Sequence, residues 1–267
     1  MSASALRERL LPRGPLDLVV QFLVLAAAYY AWRYARGAVA GGIGESFAHA
    51  RDLVALERTM HSLVEADIQR WALDAGWPAE IARWGYANLH FKGGCLALAA
   101  VYFGWRASFG FVRNTVLAAM AISVLCYALY PTAPPRFLPE LGLETAASVT
   151  GNTPALSMPG DPLFNAFAAV PSMHVGLALI FAGSLALLVR SRALKALLLA
   201  YPLLMTYVVV ASGNHFWLDA VFGAVIAAVA VGVAVVLGKL WPDWAFRPES
   251  PPVTVPGVEP EVEALPA

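Results

Sequence analysis

Ser212-Gly213-Asn214-His215-Phe216-Trp217-Leu218-Asp219 runs straight into residues 220–238, a stretch without a single charged side chain. About 20 apolar residues at ~1.5 Å each cross the hydrocarbon core of a bilayer. Residues 216–238 therefore read as a membrane-spanning helix with a histidine and an aspartate at its mouth. Ionisable groups are costly there, so function is the default reading for them. The rest of the chain agrees. Of 267 residues, 59% are hydrophobic and 13% charged, where a soluble domain averages about 25% charged. The mean hydropathy is +0.64. The formal net charge is zero, which gives no basic surface for nucleic acid.

Working outward, five further apolar runs are long enough to span: about 16–32, 86–105, 115–130, 170–189 and 196–211. The fold class is an all-α integral membrane protein, a six-transmembrane helical bundle. Residues 45–73 differ. Leu53, Leu56, Met60, Leu63, Val64 and Trp71 recur at three- and four-residue steps, punctuated by Arg51, Asp52, Glu57, Arg58, Glu65, Asp67 and Arg70. That pattern predicts one amphipathic helix over about 45–75, too charged to span, lying at the extracytoplasmic interface. Residues 136–169, rich in Gly, Pro, Ser and Thr, read as a long loop. Residues 1–15 form a cytoplasmic N-terminal segment and 16–240 the catalytic domain. Residues 241–267 read as a disordered cytoplasmic tail, with six prolines and four glutamates after Arg247. Cys95 and Cys126 fall in apolar runs and read as packing residues. The first apolar run lacks a small-residue cleavage site and reads as a retained span rather than a signal peptide.

Orientation follows from the basic residues of the short connections. Arg7, Arg9 and Arg13, then Arg106 and Arg113, then Arg190, Arg192 and Lys195, then Lys239 and Arg247 all fall on one side of six spans. Both termini are thus expected in the cytoplasm of a plasma (inner) membrane protein, although the basic residues of the interfacial helix run against the rule. Three polar stretches, 131–136 (PTAPPR), 171–174 (PSMH) and 212–219, land together on the extracytoplasmic side.

Their chemistry is complementary. His215 and Asp219, four apart, share one helix face. A carboxylate there fixes the imidazole tautomer, leaves the other nitrogen as nucleophile, and stabilises the imidazolium that develops. Ser172 reads as an N-cap, and free N–H groups in the turn it opens suit an anion. His174 in that turn can protonate a leaving alkoxide. Arg136 can grip two phosphate oxygens in a fork. A structural role is the alternative for each residue taken singly: a helix-end ion pair, a capped helix, an interfacial arginine.

PSMH and the H-x-x-x-D of His215 to Asp219 resemble the second and third signatures of the type 2 phosphatidic acid phosphatase superfamily. PTAPPR, the run Asn165-Ala166-Phe167-Ala168-Ala169-Val170 and the Leu- and Glu-bearing helix before the second span resemble its aureobasidin-resistance branch, which includes inositol phosphorylceramide synthases. The resemblance spans about residues 50–237. It implies His215 as the phosphate-attacking nucleophile, Asp219 as its partner, His174 as the acid and later base, Arg136 as a phosphate ligand, and neither metal nor cofactor. It also exposes departures. Leu129 stands where the wider family has a lysine and Phe137 where it has a proline, while Val208 and Val209 stand in place of a Ser-Arg pair. Lys92 and His90 are candidates to supply the missing positive charge, with Asn214 and Ser212 adding hydrogen bonds. A snorkelling side chain is the equal alternative for Lys92.

The expected function is phosphoryl transfer from a lipid phosphate ester through a phosphohistidine, with water or an inositol or sugar hydroxyl as acceptor. The rival is a non-enzymatic lipid transporter or scramblase using the same polar cleft. Such proteins often carry inverted repeats and broken helices, and no internal repeat is visible in this sequence.

Overall fold

The run after His215 folds as one 24-residue helix, Trp217–Leu240, and every other long apolar run is helical too. A computed structural model describes residues 14–144 and 163–241. Among these the α-helices in chain order are α1 (Gly14–Ala38), α2 (Ile43–Thr59), α3 (Glu65–Ala75), α4 (Trp77–Gly104), α5 (Arg106–Leu129), α6 (Met173–Leu188), α7 (Arg192–Ala211) and α8 (Trp217–Leu240). The only β-type pairing among the described residues is an isolated bridge between Thr132 and Ala168. The N-terminal segment, the middle of the long loop and the C-terminal tail expected from sequence lie outside the described residues.

Four helices, α1, α5, α7 and α8, are long and apolar enough to cross a membrane. The other two expected spans are less clear-cut. Residues 86–104 form the last part of the 28-residue α4, which also carries Glu80, Arg83, His90 and Lys92 in its first 16 residues. Residues 170–189 give the 16-residue α6, about 24 Å long at ~1.5 Å per residue. The outward faces are apolar: Leu197, Leu203, Val225 and Val236 are all more than half exposed, as expected of helices whose solvent is lipid.

The core sits where α8 crosses α5 and α6. Ala119, Met120, Ile180, Phe181, Ile226 and Ala230 pack there. The α6–α8 crossing is close because both faces are glycine. A Cβ on Gly223 would lie 2.4 Å from the Ser172 carbonyl oxygen, and one on Gly176 would lie 2.9 Å from the Gly223 oxygen. Small residues at a helix contact let backbones approach in this way. The approach sets the start of α6, with His174, beside the start of α8, with Asp219. At the opposite end of the bundle Asp17 of α1 accepts from Tyr102 (2.9 Å) and pairs with Arg106, tying α1 to α4 and α5.

The amphipathic segment departs from expectation. It is two helices, broken at residues 60–64, where His61 takes the left-handed conformation (φ 54°) and the Ser62 N–H returns to the Glu57 carbonyl at 2.8 Å. One straight helix would carry Glu57 and Glu65 past each other along its axis. The break folds α3 back, so both carboxyls reach the same target, the N-terminus of α8. Glu57 and Glu65, expected among the exposed charges, are fully buried. The stripe Ala50, Leu53, Val54 and Glu57 of α2 faces inward, with Phe216 and Leu218 in the cluster that Ala50, Leu53 and Val54 join.

Candidate active site

The three polar stretches meet at one end of the bundle, held by backbone bonds. The Thr132 N–H donates to the Phe167 carbonyl (2.8 Å) and the Ala169 N–H to the Thr132 carbonyl (3.2 Å), joining 131–136 to the segment before α6. The Arg136 N–H donates to the Gly213 carbonyl (3.1 Å), and the Ser172 N–H to the Asp219 carbonyl (3.0 Å). Gly213 sits at φ +67°, and a Cβ there would press on Arg136 Cβ at 3.2 Å. Glycine thus supplies both the left-handed turn and the room for Arg136.

His215 is 5% exposed. Its Nδ1 lies 2.9 Å from the Ala169 carbonyl oxygen and 3.1 Å from Asp219 Oδ2. Both partners are acceptors, so Nδ1 carries the proton and Nε2 keeps its lone pair. Burial pushes the His215 pKa down to about 3; the bond to the Ala169 carbonyl opposes the shift, and the charge of Arg136 adds to it. The resting ring is therefore neutral and nucleophilic. Asp219 Oδ2 also accepts the Phe216 N–H at 2.9 Å, so one oxygen both caps α8 and orients the histidine.

His174 stands beside it, with ring centroids 5.4 Å apart. Tyr86 stacks on His174 at 5.0 Å and His90 packs at 4.3 Å. No hydrogen bond occupies the His174 ring nitrogens among the described residues, which leaves them for a ligand. A cavity of about 90 Å³ is lined by Arg36, Tyr86, Arg136, His174, Asn214 and His215, among others. At ~30 Å³ per water that is room for a group the size of a phosphate. Arg136 donates through Nη1 to Asn214 Oδ1, and Asn214 Nδ2 donates to Ser212 Oγ at 2.7 Å.

The structure thus brings His215, Asp219, His174, Arg136 and Asn214 together, with His90 behind His174 rather than in the cavity wall. Two expected ligands are elsewhere. Lys92 is exposed on α4, its Nζ 2.5 Å from Asn88 Oδ1, because it points from a face of α4 away from the histidines. Ser172 occupies the N-cap position of α6, but its side chain accepts no cap bond, and its buried Oγ has no partner and does not line the cavity. Leu129 is 77% exposed, while Val208 and Val209 are fully buried in the core. Cations at these positions would point into lipid or protein.

Three residues were missed by sequence reasoning. Arg36 lines the cavity from α1, which runs six residues beyond the expected span end at residue 32. Glu57 and Glu65 secure the start of α8: the Trp217 N–H donates to Glu65 Oε1 (2.9 Å) and the Leu218 N–H to Glu57 Oε1 (3.2 Å). With Asp219 on the Phe216 amide, three carboxyls satisfy the amides that open the helix, where negative charge is favoured. Glu57 Oε2 and Glu65 Oε2 are buried without an N–H to accept from. Two ionised carboxylates could not persist so. Burial together with the neighbouring Glu65 pushes the Glu57 pKa up to about 9, and a proton kept on the pair would give both free oxygens a partner. Their i, i+8 spacing across a helix break carried no signal of this. Among the described residues no group of three or more His, Cys, Asp or Glu side chains is placed to hold a metal ion.

Residues 51–233 match the model of the PAP2 superfamily. The chain belongs to the PAP2 superfamily. That match takes in Arg136, His174, His215 and Asp219, together with Glu57 and Glu65, and leaves out α1. PAP2 members are typically phosphatases or phosphotransferases acting on phosphate esters, including lipid phosphates in membranes, and phosphoryl transfer is the general activity this membership supports. No curated protein and no solved structure gives a significant match.

Proposed function

We propose that this PAP2 chain is a membrane lipid phosphatase or phosphotransferase that passes the phosphoryl group of a lipid phosphate ester through His215. The observation that carries the reading is the Nδ1 of His215 held between the Ala169 carbonyl and Asp219 Oδ2, at a cavity also lined by His174 and Arg136. In the first step Nε2 attacks phosphorus, the N–P bond forms and the ester P–O bond breaks. His174, charged in the complex by the adjacent phosphate, gives its proton to the leaving oxygen. Asp219 stabilises the positive charge that the His215 ring then carries. In the second step His174 takes the proton of the acceptor hydroxyl, whose oxygen attacks phosphorus as the N–P bond breaks. The acceptor is water, or an inositol or sugar hydroxyl as in the aureobasidin-resistance branch that PTAPPR resembles. Arg136 neutralises the non-bridging oxygens throughout.

The chain would use six spans, α1, α4, α5, α6, α7 and α8, with α2 and α3 at the extracytoplasmic interface of a plasma (inner) membrane and both termini in the cytoplasm. The clustering of all site residues at one end of the bundle, with Arg106, Arg192 and Lys239 at the other, supports that arrangement. The test is a panel of phospholipids and polyprenyl phosphates, with and without inositol, read by product mass. Free phosphate marks a phosphatase, and a phosphorylated acceptor or exchanged head group a transferase. His215→Ala should abolish turnover and any acid-labile phosphoenzyme; full activity in that variant rejects the mechanism.

A further inference from the structure

Helix α1 is the least buried part of the bundle. None of its residues is buried, and it lies outside the PAP2 match. Its last turns nevertheless bring Arg36 to the wall of the cavity that holds Arg136, His174 and His215. Arg36 is held at two points. Its backbone carbonyl accepts from Asn165 Nδ2 at 2.9 Å, and its guanidinium lies over the Trp32 ring, 4.9 Å from the centroid. Trp32 in turn donates to Ser123 Oγ at 2.9 Å. The guanidinium itself is unmatched. Its Nε is buried with no acceptor, and no carboxylate among the described residues pairs with it. Arg106, in α5 beside the far end of α1, also has a buried nitrogen without an acceptor, but its charge is met by Asp17. Among the described residues no Asp or Glu lines the cavity. A guanidinium with a buried, unsatisfied donor is costly unless an anion completes it.

We infer that Arg36 is a phosphate ligand of this site, a second guanidinium that grips the non-bridging oxygens together with Arg136. The inference rests on the phosphoryl-transfer reading above and supplies what Leu129, Val208 and Val209 withhold, a second fixed positive charge at the phosphate. Two guanidiniums in a cavity that no described acidic residue lines suit a phosphate carrying two negative charges. Helix α1 is then part of the active site and not only a membrane anchor.

The probe is inorganic phosphate, titrated into the full chain in lipid–detergent micelles and followed by calorimetry, alongside turnover of a lipid phosphate. Arg36→Gln keeps length and polarity but removes the charge. It should weaken phosphate binding by about 10- to 100-fold, the effect of losing hydrogen bonds to a charged group, and lower kcat/KM in step. Arg36→Lys should recover part of that affinity, and serves also if the glutamine variant does not fold. Arg33→Gln, on the same helix but outside the cavity, should bind as the wild type does. A merely structural role would lower the Tm without phosphate and leave affinity alone. Unchanged phosphate affinity in Arg36→Gln overturns the inference while His215-dependent turnover stands. A wild-type chain that neither binds phosphate nor turns over lipid phosphates overturns the functional reading and this inference with it.

Discussion

Glu57→Gln tests whether the start of α8 is held by a carboxyl pair that shares one proton. Glu57 and Glu65 accept the Leu218 and Trp217 amides, and each keeps a second buried oxygen with no donor. The groups facing Glu57 are Glu65 and Asp219, both acidic. Its folded pKa of about 9, against an ordinary value of 4.5, sets the sign. Between those values the folded chain binds a proton that the unfolded chain has released. Stability therefore falls as pH rises from about 5 to 9. The slope has a ceiling of about 1.4 kcal/mol per pH unit for one such group, or several degrees of Tm per pH unit. A glutamine at 57 accepts the Leu218 N–H through its oxygen and donates to Glu65 through its nitrogen at every pH, so this part of the slope should vanish. Thermal unfolding of both proteins in detergent, at one scan rate from pH 5 to 9, measures it. A wild-type Tm flat across that range, or the same slope in Glu57→Gln, would refute the shared proton. Glu57→Ala provides the contrast: it strands a buried amide, at ~1–3 kcal/mol, and leaves a cavity at every pH.

Two further outcomes follow from the site and its placement. His174→Ala should slow the first, pre-steady-state release of an alkyl alcohol by about 10²- to 10⁴-fold, the usual contribution of a general acid, yet still give a burst of p-nitrophenolate, which departs unprotonated; equal losses in that first release on both substrates would remove its role as acid. Glu144→Cys, in a chain lacking Cys95 and Cys126, should react with an impermeant thiol reagent on intact cells, since Glu144 is exposed at the end of the bundle that carries the site; labelling only after lysis would invert the topology.

That His215, Asp219 and His174 come together was legible in the sequence because much of their spacing is local. A spacing of four keeps Asp219 within reach of His215 even though the histidine stands just before the N-cap Phe216 rather than on the helix as expected, and Ser172 opening a helix puts His174 in the first turn whatever the rest of the chain does. The apolar runs were equally plain, since lipid allows few ways to satisfy a backbone. What escaped depends on contacts between distant segments. Arg36 was missed because the apolar reading of α1 stopped at residue 32, where the Arg-Tyr-Ala-Arg turn of residues 33–36 looks like the end of a span. Nothing local says that the turn continues and lines a cavity. Glu57 and Glu65 sat at positions that a helical pattern assigns to solvent. Only the break at His61 and the open amides of α8, about 160 residues away, make them interior groups. Lys92 was the converse error: a cation at the right depth on the wrong face.

The way α8 begins explains why the site needs α2 and α3 at all. A helix N-terminus is an anion site, and under the proposed phosphoryl transfer an open one beside His215 would compete with the cavity for the ligand. Here the opening amides of α8 are taken by Asp219, Glu65 and Glu57. The fold thus spends that positive end on its own carboxyls and leaves the phosphate to side chains that line the cavity. The same three contacts fix the residues on either side of the histidine's helical neighbour, so Asp219 cannot rotate away from His215 Nδ1 without breaking the cap. Gln69 extends the clamp to the other side of the loop, its Nε2 donating to the Ala211 carbonyl at 3.3 Å. The five residues between α7 and α8 are therefore gripped at both ends by α2 and α3. A side chain on so short a loop keeps its aim only under such a grip, which makes these two amphipathic helices part of what holds His215 in place.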